Sequence, residues 1–193
     1  MKLAINARWL IPNKLEGFGW YSFHVIKALQ QILPDWDFYL LYDRKINAPL
    51  IEGLNIHNYT IYPPARHPIL WSIWNQFSVP LALKIIKPDA YFSPDGFLPY
   101  KAKLPMLTTI HDLNFEGDHH FVAPTIKRYY QKHIRQAADV AQHIFTVSEF
   151  SKDDIISRYA IKPEKISFAH NGPQQVFQDL SQHKRTMQYR FSG

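Results

Sequence analysis

The chain has 193 residues, which is enough for one domain with a sizeable hydrophobic core and short for two. Hydrophobic residues make up 46% and charged residues 20%, the range of ordinary globular domains. There are 22 basic and 16 acidic residues, and the formal charge of +6 permits an anionic partner without choosing among phosphates, anionic lipid and nucleic acid. The absence of cysteine excludes disulfides, a thiolate nucleophile and a cysteine-based zinc site.

The N-terminal segment does not resemble a signal peptide, because Asn6 and Arg8 interrupt it before an apolar stretch can form. No unbroken apolar run reaches the roughly 18 residues that a transmembrane helix needs, so we expect none. We therefore expect a cytoplasmic protein that at most touches the inner face of a membrane peripherally.

Apolar segments of strand length alternate along the chain with longer segments of helical period. In chain order the predicted elements are a strand at Leu3–Asn6, a helix at Gly19–Leu33, strands at Phe38–Tyr42 and Ile56–Tyr62, a helical stretch at Pro68–Ile86 that Pro80 divides in two, strands at Ala90–Phe92 and Met106–Ile110, a helix at Pro124–Ala141, a strand at His143–Val147, a helix at Glu149–Tyr159 and a strand at Lys165–Ala169. This alternation predicts an α/β fold with a doubly wound parallel sheet of about six or seven strands.

In such a sheet ligands bind outside the carboxyl ends of the strands, which directs attention to the residues that follow each strand. The first segment of interest is Gly17-Phe18-Gly19, just before the predicted first helix. Two glycines let a backbone approach a ligand closely, and a helix N-terminus offers free N–H groups to an anion. The alternative is a turn in which the glycines serve conformation alone. The long loop and Ser22 at the third glycine position exclude a dinucleotide fingerprint.

His111 and Asp112 form the second candidate, at the end of a predicted strand. An imidazole there can donate a hydrogen bond to a sugar hydroxyl or move a proton near neutral pH, and the aspartate could orient it or cap the loop. The alternative is a histidine that only hydrogen-bonds the backbone at a strand end.

Three further segments carry weaker signals. Asp118-His119-His120 could bind a metal ion, but the spacing fits no known pattern and a surface loop is the better interpretation, so we expect no metal and no cofactor. Ser148 is an expected helix N-cap whose neighbouring N–H groups could also face a ligand. Asn171-Gly172 is typical of a tight turn, and its functional alternative is a hinge into another domain.

A basic stripe of Arg128, Lys132 and Arg135 follows helical spacing opposite the apolar face of its helix. A solvated surface is the usual explanation. The functional alternatives are contact with anionic lipid or with a phosphate-bearing acceptor. No nucleic-acid motif is present, so we expect no nucleic-acid partner.

Taken in order, these segments resemble the N-terminal domain of the retaining glycosyltransferases with the GT-B fold, often called family 4. The resemblance covers essentially the whole chain, with two departures where the family usually has Arg and Glu, at Trp20 and Asn75. The matching segments are Gly17-Phe18-Gly19-Trp20-Tyr21, Trp74-Asn75-Gln76, Val79-Pro80, Asp89, Ser93-Pro94, Thr109-Ile110-His111-Asp112-Leu113, Thr146–Ser151 and Asn171-Gly172.

The resemblance implies a two-domain enzyme in which this half binds a glycan or lipid-linked acceptor and a C-terminal half binds the nucleotide-sugar donor. It implies that Gly17, Phe18 and Gly19 lie near the donor phosphates, and that His111, as the catalytic candidate, lies near the transferred sugar. Asp112, Ser148, Asn171 and Gly172 are implied substrate-binding positions in the cleft. We expect a Rossmann-like domain over residues 1–172 and the start of an interdomain linker over 173–193, so this half alone should be inactive. A binding module for a phosphorylated ligand or an anionic surface, without turnover, is the alternative.

Overall fold

The computed structural model describes residues 1–117 and 123–172. Within these ranges lie seven strands and five α-helices, and all the strand pairs are parallel. The strands are β1 (Lys2–Asn6), β2 (Asp37–Tyr42), β3 (Ile56–Thr60), β4 (Ala90–Ser93), β5 (Met106–Thr109), β6 (His143–Thr146) and β7 (Ile166–Phe168). The helices are α1 (Gly17–Ile32), α2 (Pro68–Ile73), α3 (Val79–Ile86), α4 (Pro124–Val140) and α5 (Glu149–Tyr159).

The strands lie in the order β3-β2-β1-β4-β5-β6-β7, which is the doubly wound arrangement. Alternate residues of β1 enter two separate cores: Leu3 and Ile5 pack with Ile26 of α1 on one face, and Ala4 packs with residues of α3, α4 and α5 on the other. Because both faces are covered, the strands are continuous apolar runs, and the predicted fold class is confirmed.

The stretch from Pro68 to Ile86 is divided as predicted, with Pro80 in the first turn of α3. A π-helical turn at Trp74–Ser78 joins α2 to α3, so the two pieces form one long helix. Among the described residues this 19-residue stretch is the one helix long and apolar enough to cross a membrane by length and composition. It contains no unbroken apolar run of that length, because polar residues are interspersed along it. The core helix of a domain passes the same test, and here Trp74 and Val79 are fully buried in the core.

Candidate functional site

The loops after β1, β4 and β5 meet at the carboxyl edge of the sheet. The strands β1 and β4 are neighbours, and from this pair the chain winds outward in both directions. The crevice outside such a switch point is where doubly wound folds bind ligands.

A buried carboxylate joins the loop after β1 to the loop after β4. Asp95 Oδ2 accepts hydrogen bonds from Arg8 Nε at 2.9 Å and from Trp9 Nε1 at 2.8 Å. Its Oδ1 accepts from Asn6 Nδ2 at 3.0 Å and from Ser93 Oγ at 2.7 Å. Because each oxygen already has at least two donors, Asp95 is suited to positioning the crevice and not to reacting with a substrate.

His111 follows β5 and lies half-buried at this crevice. Its Nε2 is 2.9 Å from the carbonyl oxygen of Pro94. A carbonyl can only accept, so Nε2 carries the proton, and in the neutral ring Nδ1 keeps a free lone pair. Burial lowers the pKa of His111, outweighing the opposing effects of the Pro94 carbonyl and of Asp95 and Asp112. At neutral pH the site therefore holds an uncharged imidazole that can accept a hydrogen bond or a proton.

The start of α1 packs directly against this imidazole. The Phe18 ring meets the His111 ring edge-on with centroids 4.8 Å apart, and the Tyr21 ring does so at 4.6 Å. Tyr21 is held in turn by a hydrogen bond between its hydroxyl and Thr109 Oγ1 at 3.1 Å. The glycine loop and His111 therefore lie side by side, as their positions after parallel strands predict.

The two glycines of the loop serve different purposes. A Cβ atom on Gly19 would lie 2.7 Å from the Trp9 carbonyl oxygen and 2.9 Å from Leu15 Cδ2, so the close approach there is to the protein itself. A Cβ on Gly17 would meet nothing within 4 Å, and this residue is exposed. Within the described ranges no side chain caps this helix end, so its first N–H groups are available to a ligand.

A cavity of about 90 Å³ opens beside His111, and one of about 250 Å³ lies beyond Arg8. Gly96 borders the first at a φ of +85°, a left-handed conformation that favours glycine, and a Cβ there would also press on Ile134 Cδ1 at 2.6 Å. The lining of the first cavity is Phe18, Asp95, Gly96, Phe97, Ile110, His111, Asp112, Phe115, Tyr130 and Ile134. The lining of the second is Arg8, Trp9, Ile11, Lys14, Glu16, Arg44, Ala65, Arg66 and Trp71.

The remaining predicted site residues occupy mainly structural positions. Asp112 borders the smaller cavity, but its Oδ1 accepts from the N–H of Asn114 at 3.0 Å and so caps the following turn; the Pro94 carbonyl orients His111 instead. Ser148 is the N-cap of α5, accepting from the N–H of Ser151 at 3.1 Å. Asn171 and Gly172 are exposed after β7, the edge strand.

Residues 1–117 and 123–172 contain no group of three histidine or acidic side chains placed to hold a metal ion. Asp118-His119-His120 and the proposed linker at 173–193 lie outside the described residues. Of the two departures from the family pattern, Trp20 is exposed and stacks on His24, and Asn75 is buried in the π-helical turn.

Sequence reasoning missed Asn6, Arg8 and Asp95 as members of the site. The sequence did contain an indication of them. Asn6 and Arg8 are polar residues at the end of a buried strand, where a polar side chain requires a hydrogen-bonding or charged partner. Their partner is 87 or 89 positions away, and the strand order had to be known before Asp95 could be identified.

The sequence matches the model of Glycosyltransferase Family 4 over residues 15–173. The O-antigen chain mannosyltransferase B of Escherichia coli is 29% identical over 166 residues, which cover 81% of this chain and 43% of that protein. The chain thus spans less than half the length of this curated relative.

Solved structures with the same fold include a galactosyltransferase, a sucrose-phosphate synthase and a UDP-GlcNAc 2-epimerase. The lipopolysaccharide outer core galactosyltransferase WaaB matches with a TM-score of 0.58 at 14% identity, over 90% of this chain and 46% of its own. A sucrose-phosphate synthase from Thermosynechococcus elongatus matches at 0.60 and 10%, over 97% of this chain and 99% of its own. The UDP-GlcNAc 2-epimerase of Neisseria meningitidis matches at 0.55 and 15%, over 89% of this chain and 47% of its own. These likenesses establish the Rossmann-like fold of one GT-B half, and because the family match runs from residue 15 to residue 173, the chain belongs to glycosyltransferase family 4.

Proposed function

We propose that this chain is the acceptor-side half of a retaining glycosyltransferase that moves a hexose from a nucleotide-sugar to a glycan or lipid-linked acceptor. The donor would bind a second domain, and transfer would occur in the cleft between the two, on the cytoplasmic side. Family membership supports the reaction class, and the mannosyltransferase relative makes mannose the first sugar to test.

The observation that carries the proposal is the contact between the start of α1 and a neutral His111 at the switch point of the sheet. Open N–H groups at Gly17 and Phe18 suit the phosphate oxygens of a donor. The lone pair on His111 Nδ1 suits a hydroxyl of the sugar being transferred, and the Pro94 carbonyl fixes the ring for this purpose. Asp95 ties the loop after β4 to the side chains of Asn6 and Arg8 at the end of β1.

Amide-resolved NMR titration of the chain with a mannose oligosaccharide tests the site directly. We expect weak binding, with shift changes concentrated at Gly17–Gly19, Gly96 and His111. The same chain should not turn over a nucleotide-sugar, because catalysis requires both reactants to be held in one geometry.

The control is a pair of histidine variants. His111→Ala should remove the local shift changes, whereas His24→Ala, on the exposed side of α1, should leave them. Turnover of a nucleotide-sugar by the chain alone would refute the half-enzyme proposal. Saturable binding of inorganic phosphate without any response to sugar would favour the non-catalytic binding module.

A further inference from the structure

A row of large apolar side chains is exposed along the long helix formed by α2, the π-helical turn and α3. Ile69, Ile73, Phe77, Leu81 and Ile85 recur at every fourth position, and their exposed fractions range from 38% to 71%. The row, called here the outer stripe, is about 24 Å long at the rise of an α-helix. Polar residues normally cover this face of a surface helix, so the stripe needs an explanation.

The π-helical turn helps to keep the stripe on one side. In a regular α-helix each step of four residues rotates the next side chain by about 40° around the axis. A π-helical turn holds more residues than an α-helical turn, so the step across Trp74–Ser78 offsets part of that rotation. The opposite face meanwhile stays in the core through Trp74, Val79 and Leu83.

Lysines border the stripe on one side. A groove of about 910 Å³ runs beside Phe77 and Leu81, and it is lined by Lys84, Lys87, Lys101 and Lys103. No carboxylate of the described chain lines this groove, so the lysine charges are not neutralised there. The Nζ atom of Lys101 lies 6.0 Å from the centre of the Phe77 ring, which places charge and apolar surface next to each other.

Tyrosines border the stripe on the other side. Tyr59 and Tyr62 are exposed and line a second groove, of about 240 Å³, together with Leu81 and Ile85. A tyrosine ring is apolar while its hydroxyl favours water, and such side chains concentrate at the boundary between lipid headgroups and acyl chains.

We propose that this face docks on the surface of an anionic lipid bilayer, with the helix lying in the plane of the interface. The stripe would enter the boundary of the acyl chains, the tyrosines would lie at headgroup level, and the lysines would bind lipid phosphates. Charge favours this occupant over a second copy of the chain, because a two-fold contact would place two sets of lysines in one interface with no carboxylate between them.

The proposal assigns lipid binding to the lysines beside the outer stripe and not to the basic stripe of α4. Arg128, Lys132 and Arg135 of α4 are also exposed, but the other side of that helix is buried and Arg135 already lies over the Tyr159 ring at 5.6 Å. The basic stripe of α4 therefore supplies charge without a row of exposed apolar side chains, since Val140 at its end is the one large hydrophobic residue exposed on this helix. The docking of the outer stripe does not depend on the proposed transfer reaction, although it would bring the cavity lined by Trp71 close to a lipid-linked acceptor.

Vesicle co-sedimentation tests the proposal. The chain is mixed with vesicles of phosphatidylcholine alone and with vesicles containing equal parts of phosphatidylglycerol. We expect binding to the anionic vesicles, weakening with added salt because lysine contacts to lipid are screened. The double variant F77E/L81E should reduce partitioning at least tenfold. Charge reversal of Lys84 and Lys87 should reduce it roughly fivefold for each lysine lost.

The matched control is R128E/K132E/R135E, which removes more positive charge than the lysine variant but from α4. It should bind clearly better than K84E/K87E. Thermal melts should match the parent chain for every variant, since all the substituted residues are exposed. The proposal is overturned if the parent chain ignores anionic vesicles, if F77E/L81E binds like the parent, or if only the α4 variant loses binding. Light scattering that reports a dimer dissociated by F77E/L81E would assign the face to a second copy instead.

Discussion

The His111 imidazole is held by one hydrogen bond and enclosed by two aromatic edges. The Pro94 carbonyl fixes the proton on Nε2, while Phe18 and Tyr21 restrict the ring to one orientation. Burial lowers the pKa, which keeps the ring uncharged at neutral pH. These effects together leave a single reactive atom, Nδ1, free to meet a ligand.

In an enzyme that joins this chain to a donor-binding domain, His111→Ala should lower kcat by about a hundredfold or more, the range for a positioned acid–base or hydrogen-bonding group. The same substitution should lower the stability of the domain less than it lowers the transfer rate, because the His111 ring is only half-buried. Steady-state kinetics beside a thermal melt check this, with His24→Ala as the control. Unchanged transfer in His111→Ala would show that the site assignment is wrong, without bearing on the family.

The same burial predicts a pH dependence of stability. The folded-state pKa of His111 lies below its ordinary value of 6.5, so the unfolded chain binds more protons in the window between the two values. Stability should therefore be full above about pH 6.5 and should fall as the pH drops from there through the folded-state pKa. His133 and His143, whose pKa values burial also lowers, should add to the effect.

Thermal melts between about pH 8 and pH 5 measure this slope. His111→Gln should give a shallower loss of melting temperature on acidification than the parent chain. The exposed His24→Gln is the matched loss of a histidine from α1, and the difference between the two variants isolates the contribution of His111. A His111→Gln curve parallel to that of the parent would mean that His111 titrates alike in the folded and unfolded states.

At the level of elements, the start of α1 contains two glycines in different environments. Gly19 packs against the protein, whereas Gly17 is open to solvent. Gly19→Ala would place a methyl group against the Trp9 carbonyl, which is backbone and cannot easily move, and should destabilise the domain by about 1–3 kcal/mol. Gly17→Ala is the control, since a methyl group there meets only open space and alanine favours a helix. Denaturant unfolding of both variants measures the difference. Equal stability of the two would disprove the distinction between a packing glycine and an open one.

The apolar pattern predicted most elements to within two residues, because strands buried on both faces must be continuous apolar runs. It extended β3 to Tyr62, whereas the strand ends at Thr60, and began α1 at Gly19, whereas the helix begins at Gly17. The contact between His111 and the glycine loop followed from the rule for parallel strands. The Asp95 network did not, because a hydrogen bond between residues some 87 positions apart leaves no periodic trace.

At the level of the whole molecule, the proposed functions occupy different faces. The site lies at the carboxyl edge of the sheet, while the outer stripe runs along the helix that returns from that edge to β4. A protein docked through the stripe would leave the crevice open toward a second domain. The Arg8–Asp95 pair lies where the two halves of the sheet meet, so the crevice depends on it.

Removing Asp95 should therefore affect the entire fold. Both side chains of the Arg8–Asp95 pair are buried, and in Asp95→Ala the guanidinium would remain in the interior without its counter-charge. Loss of one partner of such a pair costs about 3–5 kcal/mol, and Asn6 and Trp9 would lose an acceptor as well. Asp95→Asn keeps some of the hydrogen bonds and should fall between the parent chain and Asp95→Ala. The matched control is Asp154→Ala, which breaks the partly exposed Arg158–Asp154 pair on α5 and should leave the melting temperature nearly unchanged. Denaturant unfolding of the three variants ranks them, and an Asp95→Ala chain as stable as Asp154→Ala would mean that the switch point of the sheet does not need this ion pair.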